Sequence, residues 1–252
     1  LTSSLNGNID MSFGNVIGSN IFNTFVVIGV SATIVPLVVS KQMQKYDLPI
    51  LMGIYALLAL FSFVITPGTI QVWESIILFS LTIIYTAFLI LRSKGQKIEE
   101  ETNTKKRKWW VNLILVAIGI AGIIFGGKLV VNNASKLAMA MGMSEMLVGL
   151  TIVAIGTSLP ELVTSVTAAR KGNADIAIGN IVGSNIFNIL FVVGLSALVV
   201  PVPFASGFRF DTIVAILAAL LLLVCCIKNH KLGRIAGILM LISYCVYFAF
   251  IW

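Results

Sequence analysis

Charge is scarce in this sequence. Only 11% of its 252 residues are Asp, Glu, Lys or Arg, and 58% are hydrophobic, against about 25% charged and about 45–50% apolar in an average soluble domain. That excludes an ordinary soluble fold. Histidine is nearly absent: His230 is the only one, set among Lys228, Lys231 and Arg234, and it reads as an interfacial loop residue. The His-rich metal centres of hydrolytic enzymes are excluded with it. Cysteine is limited to Cys225, Cys226 and Cys245, all inside apolar runs. An odd number in such surroundings argues for small buried thiols, not for a disulfide framework or a metal site. Acidic residues are the rarer sign, 10 against 17 Lys and Arg, for a net charge of +7. In a soluble protein that excess would suggest nucleic acid. In a chain this apolar it reads as positive-inside bias, and no nucleic-acid partner is expected. No signal peptide is visible, and the chain opens on Leu1.

What the sequence has in abundance is long apolar tracts: Leu48–Ile65, Ile76–Leu91, Val111–Gly127, Met146–Ser158, Ile176–Val200, Ile213–Ile227 and Ile235–Trp252. Runs near 18 residues are membrane-spanning helix candidates, whereas a β-barrel would alternate polarity over about ten residues. The expected fold class is an all-α, polytopic membrane protein.

Two stretches repeat. "GNVIGSNIFNTFVVIGVSATIVP" begins at Gly14 and "GNIVGSNIFNILFVVGLSALVVP" at Gly179, a shift of 179 − 14 = 165. Upstream, Gly7-Asn8-Ile9-Asp10 falls on Gly172-Asn173-Ala174-Asp175, and Thr2 on Thr167. Such symmetry marks a transporter built from two related halves. Basic residues say how the halves are related. Lys41 and Lys45, the Arg92–Lys108 segment, Arg170-Lys171, and Lys228, Lys231 and Arg234 occupy alternate loops; the remaining loops hold only Arg209. Basic loops face the cytoplasm, so the matched segments "LNGNID" and "RKGNAD" lie on opposite sides and the halves are inverted. The counterparts of "LVGLTIVAIGTSLPELVTS" and of the helix from Trp109 would precede Leu1. Roughly one and a half helices, at about 20 residues each, are therefore expected ahead of the first residue.

Chemistry concentrates in "AIGTSLPE", Ala154–Glu161. A carboxylate inside a membrane helix is costly and marks function. Pro160 lacks an N–H and clashes with the carbonyl of Gly156, so the helix should open there and bare the carbonyls near Ala154 and Gly156. Thr157 and Ser158 precede Glu161 by four and three residues, on its face of the helix. Oxygen donors without sulfur or imidazole form a hard-cation set. In each GSNIFN the serine and last asparagine are four apart, giving the pairs Ser19/Asn23 and Ser184/Asn188 as neutral oxygen ligands. Asp10, Asp47, Glu74, Glu145, Asp175 and Asp211 fall at span ends and read as ordinary solvated carboxylates. Gly119, Gly122, Gly126 and Gly127 read as a stripe for close helix packing.

At these residues the sequence resembles the cation/calcium exchanger superfamily, in particular its prokaryotic Na⁺/Ca²⁺ exchanger branch. GTSLPE with GSNIFN downstream resembles the second alpha-repeat, and the opening GNVIGSNIFN the later part of the first. The resemblance covers essentially the whole chain. It implies ten helices in two inverted five-helix repeats, the first helix and the start of the second lying before Leu1. Residues 1–91 then form the first half, 92–108 a cytoplasmic linker and 109–252 the second half. It implies mid-membrane cation sites lined by the Ala154 carbonyl, Thr157, Ser158, Glu161, Ser184 and Asn188, with Ser19 and Asn23 from the first half. Some relatives carry aspartate where this chain has Asn188. With asparagine at both matched positions, two fixed charges in the complete site would balance one Ca²⁺ or two Na⁺. The implied activity is electrogenic Na⁺/Ca²⁺ antiport by alternating access, with H⁺- or K⁺-dependent exchange as the alternative. No enzyme activity and no prosthetic group are expected. The partners are the lipid bilayer and the transported Na⁺ and Ca²⁺ ions, in a monomer in the cell membrane. An intramembrane hydrolase would need a nucleophile with its base. A passive channel fits poorly with inverted repeats and broken helices.

Overall fold

Every backbone N–H and C=O that enters lipid must find a partner inside the chain, and helices supply one locally. The computed structural model describes residues 9–93, 109–199, 201–204 and 207–251. Among these the helices are α1 (9–34), α2 (Met43–Ile65), α3 (Val72–Ser93), α4 (Trp109–Ala140), α5 (Glu145–Thr157), α6 (Leu159–Arg170), α7 (Ala174–Val199), α8 (Phe208–Asn229) and α9 (Arg234–Ile251). Two-residue strands β1 (Leu37–Val38), β2 (Thr69–Ile70), β3 (Val202–Pro203) and β4 (Lys231–Leu232) sit in the loops. Six helices are long and apolar enough to cross a membrane, and α5 with α6 makes a seventh if the bent pair is one span.

The 165-residue repeat is visible element by element. α1 and α7 start at 9 and 174 and end at 34 and 199, and each widens into a π-helical turn at its motif asparagine, Asn23 or Asn188. β1 and β3 keep the same shift. It then falls to 162, since α3 begins at 72 and α9 at 234, the α2–α3 loop being the longer. The antiparallel pairings obey the same exchange: β1 pairs with β4 and β2 with β3. Each little sheet joins two loops assigned to one side of the membrane by their basic residues. Val39 N–H donating to His230 O at 3.0 Å extends the first of these joins.

Small residues set the helix spacing. α9 packs on the second half of α1, where a Cβ added to Gly29 would lie 3.0 Å from Gly237 O. The matched contact puts Gly194 of α7 against α3, 3.1 Å from Phe79 N. In lipid, where apolar side chains gain little from meeting one another, this close approach is what gives helix pairs their van der Waals contact. α1 sits innermost, with Ile17, Ile21 and Val27 wholly buried.

α4 runs as one helix from Trp109 to Ala140, well beyond its apolar run. It packs on α5 and α6. A Cβ at Gly119, Gly122 or Gly126 would meet nothing within 4 Å among the described residues, and only Gly127 approaches a neighbour, Gly156 O at 3.4 Å. Among the described residues the stripe therefore makes one close contact, and α4 meets α5 through Val131 against Gly156. Arg92 and Ser93, placed in the linker, complete α3; Arg92 is held there by Asp47 at 2.7 Å. The rest of the linker, the Thr2–Asn8 part of the repeat, Val200 and Trp252 lie outside the described residues.

Candidate functional site

The break between α5 and α6 bends the chain by 43°. Ser158 stands at the break with φ −93° and ψ 2°, and Pro160 opens α6. The expected breakage is therefore present, but the expected pair of bare carbonyls is not. Ser158 N–H still donates to Ala154 O at 3.1 Å and to Ile155 O at 3.1 Å. Pro160 has no N–H to offer Gly156 O four residues back, and a single missing N–H affects a single carbonyl.

Around this break the hydroxyls and amides of four helices meet. Thr157 Oγ1 lies 3.0 Å from Ser19 Oγ of α1, donates to Asn15 Oδ1 at 2.8 Å and reaches Ala154 O at 3.1 Å. Ser19 Oγ comes within 3.4 Å of the same Ala154 carbonyl. Beyond the break, Ser184 of α7 donates to Glu161 Oε1 at 2.9 Å, while Glu161 Oε2 is buried and has no hydrogen-bond partner among the described residues. Asn180 Nδ2 reaches Ser165 Oγ at 3.1 Å and Glu161 O at 3.4 Å, fixing the turn of α6 that carries the carboxylate.

α1 and α7 are joined directly by an amide quartet. Asn20 Nδ2 donates to Asn185 O at 3.3 Å and Asn185 Nδ2 to Asn20 O at 3.4 Å. Asn23 Nδ2 donates to Asn185 Oδ1 at 3.2 Å and Asn188 Nδ2 to Asn20 Oδ1 at 2.9 Å. Both pairs of bonds map onto themselves under the 165-residue shift, so the pseudo-twofold axis runs through the quartet. Buried amides need such partners, since an unpaired one costs about 1–3 kcal/mol.

The predicted residues thus fall into linked groups: Ser19, Thr157 and Ala154; Glu161 and Ser184; Asn23 and Asn188. The bonds run from α5 to α1, α1 to α7 and α7 to α6, closing a ring. Ser158 is 1% exposed. Thr157 is turned by the break toward α1 and Ser158 is buried at the break, so helical spacing alone does not describe their relation to Glu161. Sequence reasoning passed over Asn15, Asn20, Asn180 and Asn185. Their signal was present, since Asn15 with Asn180 and Asn20 with Asn185 are themselves matched pairs of the repeat.

The span-end acids also need correction. Glu74 is wholly buried, accepting Thr66 Oγ1 at 2.5 Å and Gln71 N–H at 2.7 Å. Asp211 is buried beneath Tyr247, whose hydroxyl donates at 2.9 Å, and Asp47 is buried against Arg92. These helix ends turn inward, and each carboxylate is tolerated there because a neighbour supplies donors. Asp175 is exposed and accepts Ser40 N–H at 3.1 Å, and Glu145 is exposed behind the Ser144 cap; the side chain of Asp10 lies outside the described residues. Among the described residues no three His, Cys, Asp or Glu side chains gather. The site offers one carboxylate amid neutral oxygens, a donor set for hard cations.

Known proteins share this fold. Over 98% of the chain the fold superposes on 79% of the sodium-calcium exchanger NCX_Mj, soaked with 10 mM Na⁺ and no Ca²⁺, with a TM-score of 0.79 and 32% identity. A membrane protein of Methanocaldococcus jannaschii is 35% identical over 94% of this chain and 75% of its own length. The sodium/calcium exchanger MaX1 of Methanosarcina acetivorans is 37% identical over 53% of this chain and 38% of its own length. The sequence model described as sodium/calcium exchanger protein matches residues 1–91 and 111–252. With broken α5–α6, inverted α1 and α7 and the oxygen-lined ring between them, the chain is a multi-pass membrane protein that belongs to the sodium/calcium exchanger protein family.

Proposed function

We propose that this protein is a secondary active antiporter that exchanges Na⁺ for Ca²⁺ by alternating access, moving net charge across the cell membrane. The observation that carries the reading is the buried, unpartnered Oε2 of Glu161, in a ring whose other donors are hydroxyl, amide and carbonyl oxygens. Ca²⁺ takes six to eight oxygens at about 2.3–2.6 Å. Ser19, Asn23, Ala154 O, Thr157, Ser158, Glu161, Ser184 and Asn188 supply oxygens of that kind. Na⁺, also hard but singly charged, competes for the same atoms, so filling by one ion expels the other. Asparagine at both 23 and 188 adds no titratable group there, which favours Na⁺ over H⁺ as the coupling ion. The two halves, residues 1–91 and 109–252, act as the moving parts, joined through a cytoplasmic linker at 92–108. Proline at the α5–α6 break and π-helical turns in α1 and α7 put irregular backbone where the ions pass, as expected of broken transporter helices. The functional unit is the monomer.

The test is ⁴⁵Ca²⁺ uptake by proteoliposomes loaded with Na⁺. Uptake should follow an outward Na⁺ gradient and respond to membrane potential. Uptake driven equally by a proton gradient, or requiring K⁺ beside Na⁺, would assign the coupling ion differently.

A further inference from the structure

An asparagine ligand has a nitrogen that repels a cation and an oxygen that binds one, and the rotation of the amide decides which faces the ion. We propose that the central motif asparagines, Asn20 and Asn185, are positioning residues that fix this rotation for Asn23 and Asn188. The proposal rests on the cation site described above.

The argument starts from two backbone carbonyls, which can only accept. Asn185 O receives Asn20 Nδ2, and Asn20 O receives Asn185 Nδ2. Asn185 Nδ2 also donates to Thr24 Oγ1 at 2.9 Å, whose own proton is committed to Asn20 O at 2.9 Å. Both central nitrogens are therefore turned onto acceptors, and the oxygen of each central asparagine faces a ligand asparagine. An oxygen can pair only with a donor. Asn185 Oδ1 accordingly takes Asn23 Nδ2, and Asn20 Oδ1 takes Asn188 Nδ2.

The nitrogens of both ligand asparagines are thereby drawn back to the axis and their oxygens are left over. Asn23 Oδ1 shows the result: its residue is 1% exposed, and the atom is buried with no hydrogen-bond partner among the described residues. Rotating Asn23 by half a turn would set oxygen against oxygen at Asn185, so the acceptor-outward state is selected before any ion arrives. Asn20 and Asn185 are themselves 0% exposed. Because 20 and 185, like 23 and 188, are related by the 165-residue shift, the same device serves both halves. Preorganised oxygens spare the ion the cost of turning its ligands.

The experiment is a pair of mirror double-mutant cycles in the full chain, Asn185→Ala with Asn23→Asp and Asn20→Ala with Asn188→Asp. Ca²⁺ affinity is read by calorimetric titration, and KM and maximal rate by Na⁺-driven ⁴⁵Ca²⁺ uptake. Asn185→Ala should weaken Ca²⁺ binding about tenfold, as loss of one orienting hydrogen bond predicts. KM should rise with it while the maximal rate stays within about twofold. In the Asn23→Asp background both side-chain oxygens are acceptors and no rotation remains to be fixed, so Asn185→Ala should cost less than about twofold. An equal loss in both backgrounds, or no loss beside wild-type Asn23, overturns the positioning role. So does loss of helical circular dichroism in both mirror single variants, which would make the quartet a structural clamp. Glu161→Gln is titrated alongside. Wild-type Ca²⁺ binding by that variant sinks the cation site itself, whereas its loss together with additive cycles sinks only the positioning role.

Discussion

α1 and α7 carry the same motif, yet the described residues cover them unequally. In the most apolar stretch of each, 78% of α1 and 56% of α7 is buried. The difference is sharpest at the glycines. A Cβ on Gly14 would lie 3.1 Å from Met146 O, and one on Gly18 would collide with the backbone of Leu150, so α1 lies directly on α5. Among the described residues the mates have fewer neighbours: Gly179 meets Met43 Cε at 3.5 Å, and Gly183 has nothing within 4 Å. That side of α7 opens on a cleft lined by Met43, Asp47, Tyr85 and Arg92. The polar residues behave differently. Asn20 with Asn185, and Asn23 with Asn188, make matched bonds in both copies. Glycine in the repeat answers to whichever helix lies alongside, whereas asparagine answers to its mate across the axis.

The largest expected effect comes from the charge that neither copy of the motif supplies. Glu161→Gln keeps an acceptor for Ser184 but removes the negative charge from a setting where uncompensated ionic charge costs several kcal/mol. Na⁺-dependent Ca²⁺ uptake should fall below detection while the protein still elutes, folded, at the wild-type position. Residual uptake near wild type would show that the ring around the break is not the ion path. The glycine contrast predicts an intermediate effect. Gly18→Ala should destabilise by about 1–3 kcal/mol through overpacking against Leu150. Gly183→Ala should be neutral or stabilise by up to about 1 kcal/mol through helix propensity. Thermal melts in detergent separate the two, and equal shifts would mean that the asymmetry between α1 and α7 does not reach their energetics.

Much of the architecture could be read in the amino-acid order, and the reason differs from element to element. The inverted halves were legible because the motif and the basic loops repeat independently, one by identity and one by charge. The break at Pro160 followed from a missing N–H. The amide quartet escaped because spacing along one helix says which residues share a face but not what stands opposite. Ser19 and Asn23 share a face of α1, yet Asn23 bonds Asn185, a contact made across the axis. The buried Glu74 and Asp211 escaped for a related cause. A carboxylate at a span end looks solvated until its donors, Gln71 N–H and Tyr247 Oη, are placed around it. The Ala154 carbonyl went the other way: a proline frees one carbonyl four residues back, and Ala154 is six back.

The smallest expected effect tests the one place where the two copies differ at the axis. Thr24 corresponds to Ile189, so Asn185 has a hydroxyl partner at 2.9 Å for which Asn20 has no counterpart in α7. Thr24→Val keeps the branched shape and removes only the hydroxyl. Asn185 Nδ2 then retains Asn20 O, and Asn185 Oδ1 retains Asn23 Nδ2, so the rotation of the ligand amide is unchanged. The loss is one buried hydrogen bond, about 0.5–1.5 kcal/mol of stability. A melt should register that decrease, while calorimetric Ca²⁺ affinity should stay within about twofold of wild type. Stability and binding are thereby separated at residues that share one bonded network. A tenfold loss of Ca²⁺ affinity in Thr24→Val would mean that the hydroxyl of α1, and not the pair of axial asparagines alone, holds the amide in place. The copies would then differ in how they orient their ligands as well as in how they pack.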